Sequence, residues 1–359
     1  MPKTQLTPGR MLVHLLGFIL LGGYLFYIKV PFVQGCFMFG VCLFYWVIYL
    51  SHVIIQNMKP ETSKLKISGK RIVITGGSSG IGFELAKLFV QEGCSKIVLV
   101  ARNEERLKSA VSELKVLSES AEQMITFLSL DLSSSGTEVA DKMSKRIGNV
   151  DILVNCAGFS LPGEFENLDV DTFEKMMNAN YLSAVHATHA VVHGMIEKGL
   201  GQIVFLSSVG GQLGVYGFTA YSGSKYAIRG FAEVLYHEMR PHNIGVSLAF
   251  PPDTKTPGFE KENELKPKLC QAISEQAGLW EAVDVAKVIK DGLCARKFLI
   301  GFGSDGYFMN ALTAGAAPSN SVVEFWIHTF LGPILRVYMM FLQNSWTNLI
   351  DDDMAARDE

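Results

Sequence analysis

Cysteine is scarce in this chain and never paired in sequence. The six residues Cys36, Cys42, Cys94, Cys156, Cys270 and Cys294 form no CxxC and no cluster. That spacing reads as free thiols in a reducing compartment, not as a disulfide framework. Asn-x-Ser/Thr is absent altogether, which is compatible with a folded part that faces the cytosol. There is no basic tract beyond short clusters, and the formal net charge is −3, so nucleic acid is not expected as a partner. No internal repeat or low-complexity tract occurs. His186, His189 and His193 lack an HExxH glutamate and an obvious third ligand, so they read as helix packing and no metal is expected.

Long apolar runs, by contrast, are plentiful: 48% of the 359 residues are hydrophobic and 19% charged. Residues 11–28 and 32–55, split by "KVP", are long enough as helices (about 27 and 36 Å) to cross a bilayer. Lys3 and Arg10 flank one outer end; Lys59, Lys64, Lys66, Lys70 and Arg71 flank the other. Positive charge at both ends favours a hairpin with both ends cytosolic. No A-x-A-like site follows the first run, so a retained anchor is expected over a cleaved leader. Residues 321–342 are apolar too, but Ser321, Glu324, His328, Gly332 and Arg336 recur at helical spacing. That stripe favours an interfacial or re-entrant helix, kinked at Gly332-Pro333. The terminal "DDDMAARDE" reads as a solvated tail.

Between these segments, strand-like runs alternate with amphipathic stretches. "RIVIT", "KIVLVA", "ITFLSL", "DILVN", "QIVFLS" and "GVSLAF" are short and continuously apolar. Such strands separated by helical crossovers imply a parallel sheet covered on both faces. The first strand runs into "TGGSSGIG", Thr75 to Gly82, and then a helix. Gly76, Gly80 and Gly82 suit a tight turn, close backbone approach to a pyrophosphate and close helix packing. Ser78, Ser79 and Ile81 fill the turn, and the helix N-terminus offers free N–H groups to phosphate. Twenty residues on, where an acid would hold a ribose hydroxyl, stands Arg102, with Arg106 a turn later. Guanidinium groups there favour a 2′-phosphate and hence NADPH.

"TAYSGSKYAIRG" puts Tyr221 one helical turn before Lys225. A phenol titrates near pH 10 in water, and an ammonium on the same helical face is expected to favour the phenolate. Ser208 lies 13 residues before Tyr221, "NCAG" spans Asn155 to Gly158, and Asn180 sits on the preceding long helix.

In order and spacing these motifs resemble the short-chain dehydrogenase/reductase family, over roughly residues 68–305. The resemblance implies an α/β fold: a Rossmann-type doubly wound parallel sheet in a single catalytic domain, here with N-terminal membrane segments and an apolar C-terminal helix. It implies Tyr221 as proton donor, Lys225 as its electrostatic partner and ribose ligand, Ser208 as hydrogen-bond donor to the substrate oxygen, and Asn180 as holder of a water that resupplies protons. Asp131 with Leu132 would meet the adenine, Asn155 and Gly158 the nicotinamide ribose, and Thr254 the carboxamide. One departure stands out: "PPDTKT" has Pro252 and Thr254 where the family has glycine and valine, leaving the path of the Pro251-Pro252 loop open.

The expected organisation is an anchor over 1–58, a catalytic domain over 59–305 and a membrane-associated segment with an acidic tail over 306–359. "GQLGVYGFTAYSGSKYAIRG", "FPPDTKTPGF" and "GSDGYFMNALTAGAAP" resemble a branch of the family that reduces long-chain sphingoid ketones. That implies a sphingoid ketone substrate, a bilayer partner and an endoplasmic-reticulum membrane location with the catalytic domain facing the cytosol. The apolar C-terminal helix would line the entrance with its polar stripe turned away from the acyl chain. A steroid or retinoid oxidoreductase, and a silent nucleotide-binding scaffold, are the alternatives. The sequence is compatible with a homo-oligomer and does not assign one.

Overall fold

A computed structural model describes residues 32–57, 64–275 and 278–358, together with Gly17, Leu20 and Tyr24. Apart from those three residues, the first expected membrane segment lies outside the described residues, as do its "KVP" turn and the expected boundary at 58–59. The second segment is helix α1, Phe32–Asn57. It belongs to a unit separate from the one that carries the sheet.

The sheet unit alternates as its hydrophobic pattern predicts. Strand β1 (Arg71–Thr75) leads to α2 (Gly80–Gln91), β2 (Lys96–Ala101), α3 (Glu104–Leu117), β3 (Met124–Ser129), α4 (Gly136–Ile147) and β4 (Ile152–Asn155). Helix α5 (Asp171–Met176) passes through a π turn, Met177–Leu182, into α6 (Ser183–Lys198). Then follow β5 (Gly201–Leu206), α7 (Thr219–Met239), β6 (Ile244–Ala249), β7 (Thr254–Lys255), α8 (Pro257–Leu265), α9 (Lys268–Ser274), β8 (Trp280–Glu281), α10 (Ala282–Cys294), β9 (Leu299–Ile300), α11 (Gly303–Thr313) and α12 (Val322–Asp358).

Seven parallel strands pair in the order β3-β2-β1-β4-β5-β6-β9. Alternate strand residues bury on opposite faces. Ile72 and Ile74 pack with Leu85, Phe89 and Ile289 on one side; Val73 packs with Val139, Ala187 and Ile228 on the other. Since β1 continues to β2 and β3 in one direction while β4 lies on its other flank, the order reverses between β1 and β4. In such a sheet the ligand crevice opens there, beyond the strands' carboxyl ends.

The seventh strand, β9, is two residues long and matches only Leu248 and Ala249 of β6. It is too short to show a pattern of its own. The C-terminal region also departs from expectation. Helix α12 runs through Pro333 to Asp358, so the acidic tail is helical. Arg357 makes a bidentate pair with Glu164 (3.2 and 2.6 Å), and Tyr216 donates to the same carboxylate at 2.9 Å.

By length and composition α12 is also apolar enough to cross a bilayer, the one such helix among the described residues. Part of its polar stripe lies against the protein, while Ser321 and Arg336 of the same stripe are exposed. The Glu324 and His328 side chains are only 15% and 7% exposed, and Gly332 lies against the Ala311 carbonyl of α11. The outward face is apolar instead: Phe330, Ile334, Val337 and Phe341 are all more than half exposed. On the inward side Asn320 donates twice to Glu324.

Candidate active site

A cleft of about 1390 Å³ opens at the carboxyl end of the sheet. That volume exceeds the usual range for a single small ligand. Gly76, Ser78, Ser79, Gly80 and Ile81 form its floor, Arg102, Arg106, Asp131 and Leu132 one end, and Gly158, Ser208, Tyr221, Lys225 and Thr254 its centre. Three expected site residues, Gly82, Asn155 and Asn180, are not on the wall but support it from behind.

The glycine turn fits a dinucleotide. Gly76 has φ +68°, and a Cβ there would stand 2.9 Å from Ala157 backbone atoms, so only glycine holds β1 against the β4 turn. Ser79 precedes α2 but makes no side-chain cap, leaving the first N–H groups of the helix to face the cleft. Behind them the Thr75 hydroxyl accepts from the Cys156 and Ala157 amides at 3.0 and 3.1 Å, tying the two strand ends together. Asn155 gives its Nδ2 to Thr188 at 3.1 Å and leaves a buried Oδ1 unpartnered.

Arg102 and Arg106 are exposed at the end of β2, with Asn103 between them capping α3 through the Arg106 amide at 2.8 Å. Burial alone would raise the Asp131 carboxyl. Hydrogen bonds from Ser133 and the Arg102 charge outweigh it and hold that group below the ordinary carboxylate range. The cleft therefore offers two cations, a carboxylate and a free helix terminus along one trough.

At the centre, Ser208 precedes a short 3-10 turn, its Oγ accepting from the Gly210 amide at 3.2 Å. Tyr221 and Lys225 stand on the first turns of α7. The ammonium lies 5.6 Å from the phenol ring centroid and donates to the Leu206 carbonyl at 2.9 Å. Burial pushes the Tyr221 phenol up, its hydrogen bond with Ser208 pulls the other way, and the charges of Glu262 and Asp253 push it further up. Burial pushes Lys225 down to about 8. The expectation that Lys225 lowers the phenol's pKa is thus corrected for the protein alone: desolvation is the largest influence on both groups and favours the neutral form of each.

Asn180 lies in the π turn and is fully buried. Its amide gives one proton to Phe159 O (3.1 Å) and one to Ser224 Oγ (2.9 Å), and its Oδ1 accepts from Phe159 N. Both amide protons are already used, so its side chain positions the Gly158-Phe159 loop and α7 and has none to give a water. Gly158 itself has φ +156°, and a Cβ there would collide with Asn180 Oδ1. The Pro251-Pro252 loop is pinned as well: the Pro251 carbonyl accepts from Val209 N at 3.3 Å and the Asp253 carbonyl from Trp280 N at 2.9 Å. Of the histidines, His186 Nδ1 meets Leu132 O at 2.9 Å and His189 packs edge-on against His193.

The C-terminal helix was expected at the entrance, but its individual residues, and two carboxylates, were not named from the sequence. Leu335, Tyr338, Met339, Leu342 and Trp346 of α12 line the cleft, as do Asp253 and Glu262. The first group could have been found from its i, i+4, i+7, i+11 spacing (335, 339, 342, 346). The second carried no local signal.

Fold and cleft together define a nicotinamide-dependent oxidoreductase: the chain belongs to the short chain dehydrogenase family, whose sequence profile matches residues 70–267. It is similar to "3-dehydrosphinganine reductase" of Danio rerio, 41% identical over 298 residues, 82% of this chain and 90% of that protein. It is likewise similar to "3-ketodihydrosphingosine reductase" of Bos taurus, 42% identical over 289 residues, 80% of this chain and 87% of that protein. Among solved structures, a short-chain dehydrogenase/reductase from Burkholderia phymatum in complex with NAD superposes with a TM-score of 0.57 at 26% identity, covering 66% of this chain and 89% of that one.

Proposed function

We propose that this enzyme reduces the ketone of 3-ketodihydrosphingosine to dihydrosphingosine with NADPH, a step of sphingolipid biosynthesis. The observation that carries the reading is the identity above 40%, over four-fifths of the chain, to two proteins named for that reduction. An extended cleft with an apolar α12 wall accommodates a long acyl chain, and Arg102 with Arg106 suits a 2′-phosphate.

Bound in the cleft, reduced nicotinamide supplies a hydride to the carbonyl carbon. Tyr221 gives its phenolic proton to the carbonyl oxygen, and its high pKa keeps that proton in place until negative charge develops. Ser208 Oγ donates to the same oxygen. Lys225 holds positive charge beside the phenolate that remains and faces the ribose hydroxyls. Asn180 keeps the Gly158-Phe159 loop against α7, so Lys225 and Tyr221 stay in register. Gly76, Ser78, Ser79, Gly80, Ile81 and Gly82 form the phosphate turn, Asp131 and Leu132 the adenine end, Asn155 and Gly158 the support of the ribose, and Thr254 the carboxamide contact. Residues 1–58 act as anchor, 59–305 as catalytic domain and 306–359 as a membrane-associated segment, in the endoplasmic-reticulum membrane with the catalytic domain in the cytosol.

NADPH oxidation by the purified protein in detergent, with 3-ketodihydrosphingosine against a ketosteroid and retinal, tests the reading; faster turnover of either competitor overturns it. Tyr221→Phe should lower turnover by roughly 10²–10⁴-fold while NADPH still binds.

A further inference from the structure

A 3-keto sphingoid base is polar at one end in a particular way. The carbon next to the ketone carries an ammonium, and the next a hydroxyl. Once the carbonyl oxygen is at Tyr221, the ammonium nitrogen is only about 2.5 Å from the carbonyl carbon, two bonds away. The cleft wall beside Tyr221 must therefore meet a cation, whatever the far end of the chain touches.

That wall carries a charge imbalance. Lys266, just past α8, has a side chain only 1% exposed, with its ammonium 4.5 Å from the Phe259 ring centroid and 5.7 Å from that of Phe218. Phe218 in turn packs 5.7 Å from the Tyr221 ring. The Lys266 ammonium reaches Glu262 at 2.9 Å and Ser274 Oγ at 3.1 Å, with Asp253 at ion-pair distance, 3.5 Å, and the Ser274 hydroxyl donates to Asp253. Two carboxylates share this one ammonium. The set is one positive charge short, in a partly desolvated wall where an unpaired charge is costly. Burial pushes the Glu262 carboxyl up despite Lys266 beside it. Both carboxylates line the same cleft as Tyr221, and their charges push its phenol up. Lys261, the other cation of α8 on the cleft, is solvent-exposed, where screening weakens it.

We propose that Asp253 and Glu262 form the polar-end subsite of the cleft and accept the substrate's α-ammonium, which supplies the missing cation of the Lys266 cluster. This rests on the sphingoid reading above and adds what sets its specificity. Lys266 holds the two carboxylates in place, and the ammonium bound between them fixes which way the ketone enters. A neutral ketone of equal chain length would leave the surplus charge unpaired.

The test compares kcat/KM for 3-ketodihydrosphingosine with that for its des-amino analogue, 1-hydroxyoctadecan-3-one. The native enzyme should prefer the amine by at least roughly tenfold, as a charge-assisted hydrogen bond implies. Glu262→Gln and Asp253→Asn should each bring that ratio toward one, chiefly through KM for the amine, with Glu262→Asp recovering part of it. NADPH binding, followed by fluorescence, reports whether a variant is folded. Equal kcat/KM for the two ketones in the native enzyme overturns the inference without any variant. So does a folded pair of variants that keeps the native ratio. In both cases the sphingoid reading survives. A native enzyme that reduces neither ketone overturns that reading, and this inference with it.

Discussion

Lys225 shows how little a motif says about the state of its own atoms. The i, i+4 spacing to Tyr221 is legible in "YSGSK", and the structure puts both side chains on the cleft as that spacing requires. Their ionisation was not legible, because desolvation depends on residues distant in sequence such as Leu206, Cys156 and Phe218. With burial pushing Lys225 down to about 8, the group is charged at pH 7 and loses its charge as the pH rises through that value. In the free enzyme, kcat/KM for NADPH should therefore be level at neutral pH and fall about tenfold per unit above roughly pH 8. A profile flat to pH 10 would exclude Lys225 as the charged ribose ligand. Arg102 is the opposite case: exposed, with no buried partner, its role follows from its place at the end of β2. Arg102→Asp should shift the NADPH-to-NADH efficiency ratio by at least roughly tenfold toward NADH.

Among the elements, the strands with enough residues to show an apolar run were all readable. β9, with two, was not, because its existence depends on Leu248 and Ala249 offering it a free edge. The π turn at Met177–Leu182 left no composition signal either; within it Asn180 bonds to Phe159 and Ser224. Helix α12 was readable as apolar but not in its orientation. Its inward face includes Met339, 5% exposed, and Leu342 on the cleft. Met339→Asp would place a charge on that wall, which an apolar surface cannot solvate. KM should rise about tenfold or more for a long-chain 3-keto sphingoid base and stay within about twofold for a C8 homologue that ends short of α12. Equal effects on both chain lengths would show that α12 does not contact the acyl chain.

For the whole molecule, α12 exposes an apolar outer face and α1 is a 26-residue apolar helix, and both are consistent with the proposed membrane anchoring. With positive charge at both ends of residues 11–55, protease added to sealed microsomes should digest the catalytic domain and an N-terminal tag alike. A protected tag would replace the hairpin with a single crossing. Fold class, the runs that form β1 to β6, the glycine turn and the Ser208-Tyr221-Lys225 motif were legible in the sequence, because each rests on short-range periodicity or fixed spacing along one or two elements; the order in which the strands pair was not. Three features were decided only by tertiary structure: the high pKa of Tyr221, the inward turn of Glu324 and His328, and the meeting of Asp253, Glu262 and Lys266 beside the phenol. Burial and charge balance are properties of what the folded chain brings together, and residues 221, 253 and 262, on separate segments of the chain, share one cleft only once it is folded.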